Sequence, residues 1–359
     1  NSRSIEVYGR PLVIAMSADL ADSTNISGFA KGFGGAKDLG LYDYKTNEES
    51  PLIPQGITEF TNSGMLAGLA TVNFDENPYE KFNGFYGAMS TYGSFSYLKY
   101  GPIRLFSQLA QDSDLKVGKL IWVAGHSGPE TAEDSRTHFG IFAPGVTQLF
   151  PDGHIINLHP WEHNEVAPAL AAALSTTVPV VALHLTRPPV EIPDRKKLGM
   201  ASHLEASKGA YIIKDYNHNK EKLGVIIVRG TSSTNSIVSL LEQLKKDGPN
   251  VKIVSAVSWE LFSSQPLKYQ QNIISDREWA DSMIITNGAL RLMHKWISNK
   301  IVEKYSMSPD FDNQWRTGGS VDEIVAESKL DSKSILAGIR KFANDRSKRL
   351  ELIEKSFPI

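Results

Sequence analysis

The fold is decided by residues 119–130, which read KLIWVAGHSGPE. A short, mostly apolar run without polar alternation is typical of a parallel strand that is buried on both faces. The glycines, the proline and the polar side chains that follow it predict a loop at the carboxyl end of this strand. Open α/β sheets bind their ligands at that end, so the stretch predicts both an α/β fold and the location of a functional site.

Comparable short runs lie on both sides of this strand and alternate with helical patterns. We predict further strands at residues 12–15, 85–89, 155–158 and 179–185, and helices at residues 58–70, 97–110 and 162–174. The strands are rich in β-branched residues, and the helices have apolar residues at helical spacing. This alternation indicates a doubly wound domain, in which residues 28–54 form a long loop beside the first strand.

A second α/β pattern follows a break at residues 188–200, where three prolines stand among charged residues. Few contacts are expected to cross such a segment, so we predict domains at residues 1–190 and 191–359. In the second domain we predict strands at residues 210–214, 224–228, 251–257 and 283–286, and helices at residues 235–246 and 332–355. The predicted fold class is therefore α/β, with two doubly wound domains and mostly parallel sheets.

The composition limits the classes of function. The chain has 359 residues, of which 41% are hydrophobic and 22% charged, as in ordinary globular domains. Its formal net charge of -2 provides no basic surface for nucleic acid or for an anionic membrane, so neither partner is expected. The chain has no cysteine, which excludes disulfides, thiolate metal sites and cysteine nucleophiles. No apolar run is long enough to span a membrane, and a cytoplasmic location is the default expectation.

Polar and charged side chains follow several of the predicted strands and begin the first long helix. These candidate residues are Asp19, Ser23, Glu59, His126, Asp134, His138 and Arg187. Several have a structural alternative, because aspartate and serine cap turns and helices, and the helix dipole favours a glutamate at a helix start. Two histidines and an aspartate in one loop at the carboxyl end of a strand are a more specific sign of catalysis.

The motifs that contain these residues resemble the pyrimidine-binding domain of transketolases in order and approximate spacing. They are Ser-Ala-Asp-Leu at 17–20, a glutamate before small residues at 59–70, His-Ser-Gly at 126–128 and Leu-Thr-Arg at 185–187. Asp134 lies eight residues after His126, and His138 lies four residues after Asp134, as in that family. Residues 208–215 and 254–255 resemble the family's C-terminal domain, so the resemblance covers residues 11–286.

The resemblance implies how a cofactor is bound. Residues 1–190 would be a pyrimidine-binding domain for thiamine diphosphate, and residues 191–359 a transketolase C-terminal-like domain. Glu59 is similar to the glutamate that hydrogen-bonds the pyrimidine ring, and Phe95 is similar to the aromatic residue that stacks on it. Asp19 is similar to a residue near the cofactor at a subunit junction. For Phe95, an ordinary place in the core is the alternative.

The resemblance also implies how a substrate is bound. His126 and His138 are similar to a catalytic pair that hydrogen-bonds the donor sugar and transfers protons, for which histidine has a suitable pKa. Asp134 is similar to the residue that recognises the hydroxyl next to the carbonyl. Ser23 and Arg187 match positions that hold the sugar phosphate, and a guanidinium can bind phosphate in bidentate fashion. The implied reaction is two-carbon ketol transfer between sugar phosphates, in the pentose phosphate pathway.

The chain also differs from the family. Thr58 stands where an arginine is usual, and Arg136 and Phe139 flank the Thr-His pair where proline and glutamine are usual. The chain lacks the Gly-Asp-Gly followed by Asn with which the family holds Mg²⁺ and diphosphate. We therefore expect no metal ligands on this chain. Mg²⁺ and the diphosphate would be bound by a partner domain or subunit, in a homodimer or heterotetramer.

Two local patterns have simpler explanations than ligand binding. Residues 229–234 read RGTSST, a turn into a helix that resembles a phosphate-binding loop but lacks its lysine. Helix capping by serine and threonine is the preferred interpretation. His154, His159 and His163 have no neighbouring pattern that supports zinc, and a strand end followed by a helix start explains them better.

Two other functions stay open at this point. One is another thiamine diphosphate enzyme built from the same two domains, such as a 2-oxo acid dehydrogenase beta subunit or deoxyxylulose phosphate synthase. The spacing of the histidines and the Leu-Thr-Arg motif favour a transketolase over it. The other is a non-catalytic structural subunit. The substitutions at Thr58 and Arg136 favour that interpretation, and the retention of Glu59, Asp134 and both histidines opposes it.

Overall fold

The computed structural model describes residues 2–33, 40–316 and 318–356. Within these ranges, the N-terminal α/β unit has a parallel sheet of six strands in the order β2-β1-β3-β4-β6-β5. The strands are β1 (Val13–Ser17), β2 (Leu52–Ile53), β3 (Tyr86–Thr91), β4 (Leu120–Ala124), β5 (Ile155–Leu158) and β6 (Val180–His184). The helices are α1 (Ser2–Tyr8), α2 (Glu59–Thr71), α3 (Tyr100–Asp112), α4 (Ala143–Thr147) and α5 (His163–Leu174).

The apolar run at residues 120–124 forms the central strand β4, within the strand predicted at residues 119–124. Every residue of β4 is buried, and the strand pairs in parallel with β3 and β6. Side chains from α2 and α3, including Leu66 and Ile103, pack on one face of the sheet against Trp122. Leu170 and Leu174 of α5 pack on the other face. The sheet is therefore covered on both sides, which explains why its strands lack polar alternation.

The C-terminal α/β unit has a sheet of four strands in the order β10-β8-β9-β7, in which β7 is antiparallel to β9. Its strands are β7 (Ala210–Lys214), β8 (Val225–Arg229), β9 (Lys252–Ala256) and β10 (Ser282–Thr286). Its helices are α6 (Thr231–Ser239), α7 (Leu241–Lys246), α8 (Trp259–Ser263), α9 (Leu267–Ile273), α10 (Asp276–Ala280), α11 (Lys300–Tyr305), α12 (Val321–Glu327), α13 (Ser332–Asn344) and α14 (Arg346–Ser356). No helix in the described ranges is long and apolar enough to cross a lipid bilayer.

The structure corrects several predicted elements. The long loop predicted at residues 28–54 contains the short edge strand β2, and residues 34–39 of it lie outside the described ranges. The helix predicted at 235–246 is two helices, α6 and α7, and it begins at Thr231 because Gly230 adopts a positive φ of 90° there. The helix predicted at 332–355 is divided into α13 and α14 at Asp345.

The segment between the two units is anchored, contrary to the expectation that few contacts would cross it. Its Arg195 forms ion pairs of 2.8 Å with Glu162 and 2.7 Å with Glu165, both buried in the N-terminal unit. Tyr211 of β7 accepts a hydrogen bond of 3.0 Å from the indole of Trp161. One buried hydrophobic cluster includes residues of both units. A domain division at residue 190 stays a prediction, but the two units share a core.

Candidate active site

The carboxyl ends of β1, β3, β4 and β6 bring the predicted site residues to one edge of the six-stranded sheet. Asn25, at a positive φ of 63°, holds the loop after β1 against the loop after β4, because its amide donates to the Gly125 carbonyl at 2.9 Å. Gly93 and Gly140 allow two further segments to approach the backbone of His126 closely. A Cβ on these glycines would lie 2.0 and 1.9 Å from the His126 carbonyl oxygen. Side chains at either position would push the site apart.

Glu59 is the first residue of α2, and only 6% of it is exposed. The hydroxyl of Thr91, at the end of β3, donates to its Oε1 at 3.0 Å. Lys99 is fully buried nearby, where its ammonium donates to the Val123 carbonyl at 2.9 Å. Burial holds the pKa of Lys99 well below its usual range, although the charge of Glu59 opposes this. Thr58 caps α2 without a side-chain capping bond and donates instead to Asn62.

His126 is completely buried at the centre of the site. Neither of its ring nitrogens has a hydrogen-bond partner. Burial, together with the nearby His138 and Arg187, lowers its pKa to about 3. The imidazole is therefore neutral at neutral pH and has one donor and one acceptor free for a ligand. Buried polar groups without partners are rare in folded proteins, and they mark places where a ligand or water binds.

His138, Asp134 and Arg187 form a chain of side-chain contacts beside His126. His138 Nδ1 lies 2.6 Å from Asp134 Oδ2, a close contact that lacks good hydrogen-bond geometry. Arg187 Nη1 lies 2.6 Å from Asp134 Oδ1 and 3.8 Å from Glu133. Although partial burial works against it, the Arg187 guanidinium and His138 hold the pKa of Asp134 below its usual range. Asp134 and Arg187, which were predicted to bind different parts of the substrate, thus form an ion pair with each other.

Tyr92 belongs to the site but was not predicted to have a role. Its ring lies 4.3 Å from the His126 ring and stacks at 4.2 Å on the His138 ring. Its hydroxyl lies 3.2 Å from the Ser23 hydroxyl, and burial, with the nearby Asp19 carboxylate, raises the pKa of the phenol. The sequence signal for Tyr92 is its position directly after β3. The other candidates at strand ends were selected by the same criterion.

Phe95 lies at the border between this polar cluster and an apolar cavity. Its ring packs edge-on against His138 at 6.0 Å. The cavity has a volume of about 720 Å³ and is also lined by Arg136, Phe142 and Trp315. Trp315 comes from the C-terminal unit and contacts Phe142 with ring centroids 5.5 Å apart. The ring of Phe95 is partly exposed, so it does not take the fully buried place of an ordinary core residue.

Three side chains of the site could in principle hold a metal ion. The ligand atoms of His126, Asp134 and His138 lie within 4.8 Å of one another. The positive charge of Arg187, 2.6 Å from Asp134, opposes a cation at this position. His154 and His159, for which the sequence did not favour zinc binding, have other partners: His154 bonds with Ser107, and His159 stacks on His184.

Comparisons with known proteins agree with the resemblance seen in the sequence. Residues 209–307 match the family model described as a transketolase-like TK C-terminal domain. The chain is 27% identical over 324 residues to a chloroplastic transketolase from Solanum tuberosum and 26% identical over 328 residues to a transketolase from Nostoc. Each alignment covers 89% of the chain but only 39% and 43% of the relative, so the chain spans about two fifths of the length of these relatives.

Solved structures show the same fold. A transketolase from Pichia stipitis in complex with sedoheptulose 7-phosphate matches with a TM-score of 0.69 and 21% identity. That match covers 96% of this chain and 44% of the solved chain. A transketolase from Leishmania mexicana matches with the same TM-score at 20% identity. At these identities the likeness shows the fold and leaves the role of each residue to the geometry of the site.

Proposed function

From the premise that the chain belongs with the C-terminal half of transketolases, we propose that it contributes half of a thiamine diphosphate-dependent transketolase. The reaction would move a two-carbon ketol unit between sugar phosphates. The observation that carries the proposal is the neutral, unpartnered imidazole of His126, surrounded by Tyr92 and His138 at the carboxyl edge of the sheet. A cytoplasmic location stays a prediction.

The residues present fit the pyrimidine end of thiamine diphosphate. Glu59 offers a buried carboxylate that can share a proton with a ring nitrogen, and Phe95 offers a partly exposed aromatic face beside a cavity. Thr91 keeps Glu59 in place through its hydrogen bond of 3.0 Å. When bound, thiamine diphosphate supplies the carbon nucleophile of the reaction. Glu59 would hold the proton at the ring nitrogen, where a carboxylate shielded from water is effective.

The two histidines are suited to different tasks. The low pKa of His126 makes it a poor base at neutral pH, so it would act as a neutral hydrogen-bond partner of a substrate oxygen. His138 is partly exposed and touches the Asp134 carboxylate, which can orient the ring. We assign proton exchange with the substrate to His138. Asp134 would accept a hydrogen bond from the hydroxyl next to the substrate carbonyl.

Arg187 and Ser23 would bind the phosphate of the substrate. Arg187 contacts both carboxylates, of Glu133 and Asp134, through Nη1 alone. Its side chain is about one third exposed. An exposed ion pair contributes little stability, so a phosphate dianion can compete for the guanidinium. The contact with Asp134 would then set the position of Arg187 rather than block it. Asp19 would support the site through its proximity to Tyr92.

The diphosphate and Mg²⁺ would be bound by a domain outside this sequence, because residues 1–359 contain no Gly-Asp-Gly. An exposed apolar surface on α2 and α3 is a suitable docking surface for it. Phe60 is 65% exposed and Leu105 is 62% exposed, and the Phe60 ring lies beside Gly101, one helical turn before Leu105. Contiguous exposed apolar side chains indicate a protein interface. The partner could be a second subunit or a second domain, in a homodimer or a heterotetramer.

A reconstitution experiment tests the proposal. The chain is mixed with a diphosphate-binding domain, thiamine diphosphate and Mg²⁺, and ketol transfer from xylulose 5-phosphate to an aldose phosphate is measured. Transfer should require both components. Phe60→Glu should abolish the complex, whereas Leu204→Glu, at a site that is 59% exposed on the C-terminal unit, should not. A stable complex that holds the cofactor but transfers nothing would favour the non-catalytic subunit instead.

A further inference from the structure

A small polar cavity lies between the two units, and none of the candidate site residues lines it. Its walls come from β5 in the N-terminal unit and from the carboxyl ends of β8 and β9 in the C-terminal unit. The cavity has a volume of about 30 Å³, and the exposed His294 and the half-buried Lys295 stand at its rim. A water molecule needs about 10 to 15 Å³ measured in this way, so the space holds about two waters or one small ion.

Arg229, the last residue of β8, lines this cavity with a side chain that lacks a counter-charge. The residue is only 4% exposed. Its Nη1 donates to the Leu292 carbonyl at 3.0 Å, but Nε and Nη2 are buried without any hydrogen-bond partner. Nε and one Nη nitrogen form the fork with which a guanidinium binds an anion. The unused donors are therefore the ones that an anion would need.

The neighbouring titratable groups do not neutralise Arg229. Glu260 is the nearest acid that acts on it, but its Oε2 accepts the Asn157 amide at 3.1 Å and its Oε1 lies 3.6 Å from Lys295. His159 and His184 stack with ring centroids 4.5 Å apart, and burial holds the pKa of each far below its usual range, so both are neutral. Among the described residues, no carboxylate hydrogen-bonds the Arg229 guanidinium.

A buried guanidinium without a counter-charge is unfavourable, because it loses its hydration and gains no ion pair. Burial lowers the pKa of Arg229 to about 9, although the charge of Glu260 opposes the shift. Water in the cavity could satisfy the two free nitrogens but would not supply negative charge. A small anion would supply both.

We propose that this cavity binds one small monovalent anion, chloride or a carboxylate the size of formate, on Nε and Nη2 of Arg229. The volume excludes a sugar phosphate or a nucleotide. The N-terminus of α6 is a separate place and is occupied by the carboxylate of Glu130. Since the cavity is lined by both units, an anion there strengthens their packing and raises the thermal stability of the chain.

Thermal unfolding in salts of equal ionic strength tests the proposal. Sodium chloride and sodium formate should each raise Tm in a saturable way, by a few degrees relative to sodium gluconate, whose anion is too large for the cavity. Arg229→Met should remove the difference between the salts. Arg277→Met, at an exposed position, should retain it. Equal Tm values of the wild-type protein in all three salts would overturn the proposal.

A crystal of the wild-type protein soaked in bromide provides a measurement that does not depend on the folding of a variant. An anomalous peak is expected within hydrogen-bond distance of Nε and Nη2 of Arg229. A well-ordered cavity that contains only water, at a bromide concentration that saturates the effect on Tm, would also overturn it. A response to formate without one to chloride would assign the site to carboxylates.

Discussion

The carboxylate of Glu130 accepts a hydrogen bond of 2.8 Å from the Ser232 hydroxyl, which joins the loop after β4 to the start of α6. The Ser232 amide and the Asn287 side chain also donate to it, at 3.3 and 3.1 Å. A carboxylate at a helix N-terminus is favoured by the helix dipole. The turn at residues 229–234 therefore binds a carboxyl group, and this group belongs to a side chain of the same protein. Capping by a serine or threonine side chain, which the sequence suggested, is absent at its N-cap Gly230.

These hydrogen bonds predict how the stability of the protein depends on Glu130. Glu130→Ala should lower the free energy of unfolding by about 2 to 4 kcal/mol, because it leaves buried donors of Ser232 and Asn287 without a partner. Glu133→Ala, at a nearby exposed position, should change it by less than about 0.5 kcal/mol. Chemical denaturation measures both. Equal effects of the two substitutions would contradict the role given to Glu130.

Glu130→Gln separates the hydrogen bonds from the charge. Burial raises the pKa of Glu130 above 4.5, although its three donors oppose this. A carboxyl whose folded-state pKa is raised contributes stability that is complete below its unfolded pKa and is lost as the pH rises through the folded value. The amide cannot ionise, so at neutral pH Glu130→Gln should be at least as stable as the wild-type protein. Between acidic and neutral pH, its Tm should fall less than that of the wild type.

Binding of the cofactor tests the dependence on a partner domain. Because this sequence has no Gly-Asp-Gly for Mg²⁺ and diphosphate, we expect the isolated chain to bind thiamine diphosphate weakly or not at all. Isothermal titration calorimetry with and without Mg²⁺ measures this. Micromolar binding that requires Mg²⁺, by this chain alone, would exclude the divided site.

Glu59→Gln tests the cofactor role in the reconstituted complex. Turnover should fall by at least about a hundredfold, the low end of what positioned proton transfer contributes. Binding of the cofactor should change less, because glutamine keeps an acceptor for the Thr91 hydroxyl. Thr58→Ala, at the neighbouring helix cap, is the matched control and should leave turnover near the wild-type value. Unchanged turnover in Glu59→Gln would remove Glu59 from the cofactor site.

The Arg187→Ala substitution tests whether Arg187 binds the phosphate of the substrate. A charge-assisted hydrogen bond contributes about 1.5 to 3 kcal/mol, so kcat/KM for a phosphorylated ketose should fall by about ten- to a hundredfold. An unphosphorylated donor should lose little. Glu133→Ala removes the more distant of the two acids at Arg187, 3.8 Å away, and should affect neither donor strongly. Equal losses on both donors would instead assign Arg187 to orienting Asp134.

Much of this architecture could be predicted from the sequence, because its signals are local. The apolar run of β4 and the alternation of strands and helices indicate a covered parallel sheet, whatever the rest of the chain does. The carboxyl ends of parallel strands meet at one edge, so residues far apart in sequence could be assigned to one site. Asp19, His126 and Arg187 were assigned in this way, and in the structure Arg187 lies near His126, and Asp19 lies near Tyr92.

The contacts that determine the chemistry depend on tertiary packing and were not predicted. His126 is completely buried, with the segments at Gly93 and Gly140 packed against its backbone carbonyl, and burial lowers the pKa of its unpartnered imidazole to about 3. Asp134 and Arg187 were predicted separately, and only their distance of 2.6 Å shows that they pair. Composition and spacing determine which elements form. Burial and the presence of a partner for each polar atom depend on residues distant in sequence, so only the folded chain decides them.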